Sequence, residues 1–189
     1  MKKMKKIIIL TTIMVNMSCN YKRDVISLNK EYESELIQGN ETKAESYLDE
    51  IIAIDKNNTK YLKLKIPFLV NKCKKEQAIK LIDQILKSDK NEIDLLLLKI
   101  VLIPEDNNKK KYLLLELEYS LEEKMRSNTI KRNQTIVNLI LVKKMQKMNP
   151  DGIGKFFKNY NLNPEEQNVF NSYITISIAD ILPIVPECN

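Results

Sequence analysis

Apolar residues recur at helical spacing along nearly the whole chain. Val25, Leu28, Tyr32 and Leu36 form one stripe and predict a helix over residues 24–38, ended by Gly39-Asn40. Ala44, Tyr47, Leu48, Ile51 and Ile52 predict a second helix, and polar Asp55 to Asn58 breaks the pattern. A third is predicted over 59–72. Pro67 lies inside it and predicts a kink or an early stop, because a proline there removes one backbone bond and clashes with the preceding turn. Ala78, Leu81, Ile82, Ile85 and Leu86 mark a fourth helix, and Glu92 to Ile103 a fifth that stops at Pro104.

After a loop over Pro104 to Asn108, Leu113, Leu114, Leu117, Leu121 and Met125 give the buried face of a helix from Lys109 to Arg126. Ser127-Asn128 is read as the cap of the next helix, which carries Ile136, Leu139, Ile140, Val142 and Met145 until Asn149-Pro150 closes it. Asp151 to Tyr160 is a short helical or irregular piece. Asn163-Pro164-Glu165-Glu166 starts the last helix, with a capping Asn, Pro in the first turn and acids near the positive end of the dipole. Phe170, Tyr173, Ile174, Ile178, Ile181 and Leu182 continue at helical spacing. Ile174, Ile176 and Ile178 also alternate as a strand would, and the helix is the favoured reading. Pro183 and Pro186 predict an extended tail over 183–189. The pattern is that of an all-α chain.

The pattern also repeats. Shifted by 34 residues, segment 44–66 falls on 78–100 with ten identities in 23 pairs. Ala44 meets Ala78, Asp49 meets Asp83, Ile51 meets Ile85, and Asp55-Lys56-Asn57 meets Asp89-Lys90-Asn91. Leu62, Leu64, Lys65 and Ile66 meet Leu96, Leu98, Lys99 and Ile100. A fixed period of this size marks a stacked helical repeat. Together with the Gly-x-x-x-x-Ala step from Gly39 to Ala44, it resembles the tetratricopeptide repeat family over roughly residues 24–103. Lys56 and Lys90 replace that family's turn proline, and Cys73 stands where the second copy has its Gly. The resemblance implies a right-handed α-solenoid of tetratricopeptide-repeat-like (TPR-like) helical hairpins over 24–182, with extra C-terminal helices.

The first 18 residues have the three-part form of an export signal: Lys2, Lys3, Lys5 and Lys6, then an apolar core from Ile7 to Val15, then small Ser18. The core is about half the length that spans a bilayer as a stable helix. Cys19 directly after Ser18 resembles the bacterial lipoprotein signal, although Asn16 stands where that signal prefers Leu or Val. The resemblance implies a lipoprotein signal peptide over 1–18, a diacylglycerol on the thiol of Cys19, and a tether over 19–23. It implies lipid anchoring to the bacterial cell envelope, on its periplasmic or surface face.

This segment alters the charge argument. The chain holds 31 basic and 25 acidic residues, net +6; without the four leader lysines it is 27 against 25, or +2. The excess that would suggest nucleic acid therefore leaves with the leader, and Lys72 to Lys75 and Lys109 to Lys111 read as solvated helix ends. There is no histidine, which removes Ser–His and Cys–His nucleophile pairs and His metal sites. Gly152-Ile153-Gly154 lacks the strand–turn–helix context of a nucleotide loop. Glu122-Glu123 and Glu165-Glu166 are sequence neighbours, about 100° apart on a helix, and read as solvated faces. Cys73 and Cys188 show no framework of spacings and are read as not forming a required disulfide.

No cofactor, metal or catalytic residue is expected. The favoured function is a membrane-tethered protein–protein interaction scaffold that binds a protein or peptide segment in a helical-repeat groove. An inhibitor or immunity-type lipoprotein that blocks one partner, or a small helical envelope enzyme using carboxylates, are the alternatives. Carrying the family's groove positions over implies partner-binding roles for Lys60, Lys63, Val70 and Asn71 in one copy and for Asp94 and Leu97 in the next. Pro67 and Asp94 stand where a peptide-carboxylate clamp would need other residues, so an internal segment of the partner is expected.

Overall fold

The first helix, α1 (residues 24–37), ends where Gly39 takes the left-handed conformation, φ 75°. The amide of Asn40 donates to Glu35 O at 2.8 Å and that of Gly39 to Leu36 O at 3.0 Å, satisfying carbonyls that the helix end would leave open. The computed structural model describes residues 24–105, 107–127, 131–181 and 186, with the backbone alone at Ala179 and Ile181. The predicted leader, Cys19, the tether, Cys188 and nearly all of the tail lie outside the described residues. Every regular element among the described residues is helical.

The chain divides into two compact units between Ile85 and Leu86. In the first, α1 is followed by α2 (Glu41–Ile54) and α3 (Thr59–Asn71), and α4 (Lys75–Ser88) crosses the boundary. Tyr32, Ala44, Leu48, Ile51 and Tyr61 form its core, with Val25, Leu28, Leu64 and Phe68 packed around them. Each large side chain so buried contributes about 1.5–3 kcal/mol. Ala44 is fully buried, consistent with the close helix approach a small residue permits. An ionic clamp adds to the α2–α3 contact. Glu45, buried on α2, accepts from Lys65 Nζ at 2.9 Å and from Lys72 Nζ, and Lys65 also reaches Asp49 at 2.6 Å.

Contrary to the stop that Pro67 allowed, α3 runs through it to Asn71. Ile66, Leu69 and Val70 on either side are buried, and their packing outweighs the roughly 3 kcal/mol an interior proline costs. The helix then closes at Cys73, φ 58°, with Lys74 N donating to Leu69 O at 2.8 Å and Cys73 N to Val70 O at 3.0 Å. Cys73 is disulfide-bonded, contrary to the reading of it as outside any required bridge. The only other cysteines of the chain, Cys19 and Cys188, are not among the described residues.

The second unit is built on α7 (Arg132–Met145). Helices α6 (Asn108–Arg126), α9 (Pro164–Ile174) and α10 (Ile178–Ile181) pack on it; α5 (Ile93–Leu102) packs on α6, and α8 (Pro150–Phe157) on α9. A helix surrounded in this way buries most of its circumference, and Ile136, Asn138, Leu139, Ile140, Leu141, Val142 and Lys143 are all buried. Phe157 and Phe170, ring centroids 4.9 Å apart, continue the core into α8 and α9.

Asparagines start four of the helices: Asn58, Asn107, Asn149 and Asn163 each accept a backbone N–H of the following first turn. Asn149-Pro150 thus opens α8 rather than only closing α7. Ser127 ends α6, donating its hydroxyl to Lys124 O at 3.1 Å, and α7 begins later than the predicted Ser127-Asn128 cap. The last predicted helix is two: α9 stops at Ile174, and α10 restarts at Ile178 behind Ser177, whose Oγ accepts from Asp180 N at 3.3 Å.

Candidate partner-binding cleft

The groove residues expected from the repeat fall in different settings. On α3, Lys60 is exposed, with its ammonium 5.3 Å from the centroid of the Tyr61 ring; Lys63 is half-buried and Asn71 is exposed. Val70, on the same helix, is buried. On α5, Asp94 is exposed in the first turn, and Leu97, 3% exposed, belongs to the core of the second unit. Asp94 and Leu97 both border a half-open cleft of about 510 Å³ within the second unit.

The cleft forms where α5, α7 and the α9–α10 segment meet. Leu95, Leu98 and Val101 of α5 and Val137 and Leu141 of α7 make its apolar lining. The polar groups are Asp94, Asp180, Tyr173, Gln134 and Asn138, and no lysine or arginine among the described residues borders it. Asn138 is 3% exposed, and its Oδ1 accepts from Gln134 Nε2 at 3.1 Å. Asp180 is held by Ser177 Oγ, which donates to Oδ2 at 2.6 Å.

Lys144 of α7 fixes the wall that carries Tyr173 and Asp180. Its Nζ donates to Tyr173 O at 3.0 Å and to Ile176 O, at the carbonyl end of α9, where the helix dipole favours a cation. Burial holds its pKa below the ordinary lysine value.

Two ion pairs fix α7. Glu118 of α6 accepts from Lys143 Nζ and, at 2.6 Å, from Gln146 Nε2; the Lys143 ammonium also lies 4.0 Å from the centroid of the Phe156 ring. Arg132 meets both oxygens of Glu166, at 2.6 and 3.2 Å, and donates to Met125 O at 2.7 Å, tying the end of α6 to the start of α9. Glu166 also closes the capping box of α9, accepting from Asn163 N at 3.0 Å while its own N–H donates to Asn163 Oδ1 at 2.9 Å. The expectation of a solvated face at Glu165-Glu166 therefore fails for Glu166, which is 5% exposed. It holds for Glu165, which accepts from Asn133 at an exposed position.

Burial pushes the carboxyls of Glu45, Glu118 and Glu166 up, but hydrogen bonds and charge from their Lys or Arg partners outweigh it and leave all three below the ordinary value. Glu105 is lowered chiefly by its hydrogen bond from Lys110. A catalytic acid needs the opposite displacement. Among the described residues no group of three or more Cys, Asp and Glu is placed to hold a metal ion, and no helix is long and apolar enough to cross a membrane.

Comparison with protein-family models, curated proteins and solved structures finds no match to this chain.

The cleft itself was not read from the sequence beyond Asp94 and Leu97. The available signal is Ile93–Leu102, in which Leu95 to Leu98 form an unbroken apolar run. One helix face buried against α6 accounts for only part of such a run, and Leu95 and Leu98 remain half-buried beside the cleft.

Proposed function

We propose that the protein is a membrane-tethered interaction scaffold of the bacterial cell envelope, anchored by a lipid on Cys19, which binds a segment of a protein partner against its helical hairpins. The reading includes TPR-like hairpins in a right-handed α-solenoid. The observation that carries it is the recurrence of one local design at a 34-residue interval. Gly39 and Cys73 are both left-handed helix-ending residues, each five residues before a fully buried alanine, Ala44 and Ala78. Leu48 and Ile82, then Ile51 and Ile85, follow at matching buried positions.

Further support comes from the cleft beside α5, where an apolar lining with a few fixed polar groups suits a peptide side chain and its backbone. Once a partner is identified by affinity capture on the lipid-free protein, its affinity should be measured against the Lys60→Glu/Lys63→Glu double variant. A change below about 1 kcal/mol removes α3 from the binding surface, since residues that matter at interfaces cost more than this.

A further inference from the structure

We infer that the α5–α7–α10 cleft takes a basic residue of the partner segment, with its alkyl stem along the leucine lining and its cation at the carboxylates of Asp94 and Asp180. This rests on the scaffold reading and specifies the chemistry of the segment.

The argument starts from charge. In a chain with more basic than acidic residues, this cleft is bordered, among the described residues, by two carboxylates and by no cation. Other acids that the fold places near apolar surfaces are matched: Glu45 by Lys65 and Lys72, Glu118 by Lys143, and Glu166 by Arg132. Asp94 has no ion-pair partner among the described residues. Asp180 has only the hydroxyl of Ser177, which orients the carboxylate without neutralising it.

Shape agrees with charge. A lysine or arginine stem is three or four methylenes long and packs along apolar surface while its head stays at a polar rim. Leu95, Leu98 and Val101 supply that surface on α5, next to Asp94. Asn138 adds a fixed polar point on the lining: its Oδ1 is engaged by Gln134, which leaves its amide N–H groups to solvent or to a bound segment. A main-chain carbonyl of the bound segment is the acceptor this geometry suits. The wall is kept in place by Lys144, whose Nζ donates to the carbonyls of Tyr173 and Ile176.

The test is selection from a random twelve-residue peptide display library on the full chain, run in parallel on Asp94→Asn/Asp180→Asn and on Asp94→Asn alone. Circular dichroism checks that the variants keep their helix content. Asp94→Asn leaves the Ser177–Asp180 turn untouched, so it reports on the cleft even if the double variant loosens α10. The inference predicts peptides enriched in Lys or Arg beside apolar residues. A synthetic copy of an enriched peptide should bind at least ten-fold more weakly to the double variant and several-fold more weakly to Asp94→Asn, with affinity falling as salt is raised. Enriched peptides without a basic excess, or basic peptides that bind both variants unchanged, overturn the inference and leave the scaffold reading standing. Enrichment of no peptide at all removes both.

Discussion

Gly39 and Cys73, 34 residues apart, close α1 and α3 in the same left-handed turn, φ 75° and 58°, with the same pair of backbone hydrogen bonds. Glycine takes this conformation without strain, whereas a residue with a Cβ costs roughly 1–2 kcal/mol there. The fold accepts that cost at Cys73 and again at Lys147, φ 62°, which ends α7 in the same way.

These positions predict substitutions of opposite sign. No atom lies within 4 Å of a Cβ built at Gly39, so Gly39→Ala meets strain alone and should destabilise by about 1–2 kcal/mol. At exposed Lys147, Lys147→Gly should stabilise by about 0.5–1 kcal/mol, the relief of strain being partly offset by the greater freedom of glycine in the unfolded chain. Urea unfolding of both variants measures the pair, and changes of equal sign would contradict the assignment.

Glu166 joins three elements through Arg132, Asn163 and its own helix start. Glu166→Ala removes the partner of a largely buried guanidinium together with half of a capping box. A loss of about 3–5 kcal/mol is expected, large enough to unfold a marginal domain. Glu165→Ala, one residue earlier and exposed, should change stability by less than about 0.5 kcal/mol.

Acid should unfold the protein in a defined window. The carboxyls of Glu45, Glu118 and Glu166 lie lower in the folded state than the ordinary glutamate value of 4.5. The unfolded chain therefore binds more protons as pH falls, and the stability these groups contribute is full above that value and is lost below it. Melting temperature should be nearly flat from neutrality to about pH 5 and fall steeply below about 4.5. Glu118→Gln should lower the plateau and shallow the fall.

Cysteine chemistry tests the envelope assignment. If the proposed lipid on Cys19 is the anchor, Cys19→Ser should move the protein from the membrane fraction to the soluble one and change its mobility. Unchanged fractionation would remove the anchor from the account. Separately, peptide mapping without reduction should recover Cys73 as half of a disulfide, and reduction should add about two mass units and lower the melting temperature.

The helices were legible because burial on one face imprints a period on the sequence, and the 34-residue echo of Ala44 in Ala78 falls on two fully buried positions. What was missed lies where tertiary context overrides a local signal. Pro67 did not stop α3, since the residues around it are buried. Ile174 to Ile178 was read as one helix, but Ser177 and the Lys144 ammonium favour a break that no period encodes. Glu166 read as solvated because its partner, Arg132, is distant in sequence. The same distance hid the cleft, to which α5, α7 and α10 each bring residues with no spacing in common.

The most direct test of the account is photocrosslinking in living cells from a benzophenone amino acid placed at Asp94, with the exposed Lys155 position of α8 as control. The account predicts a discrete protein adduct from the Asp94 position and none from the Lys155 position. Adducts of equal yield from both positions, or none from Asp94 in cells that make the partner, would contradict it.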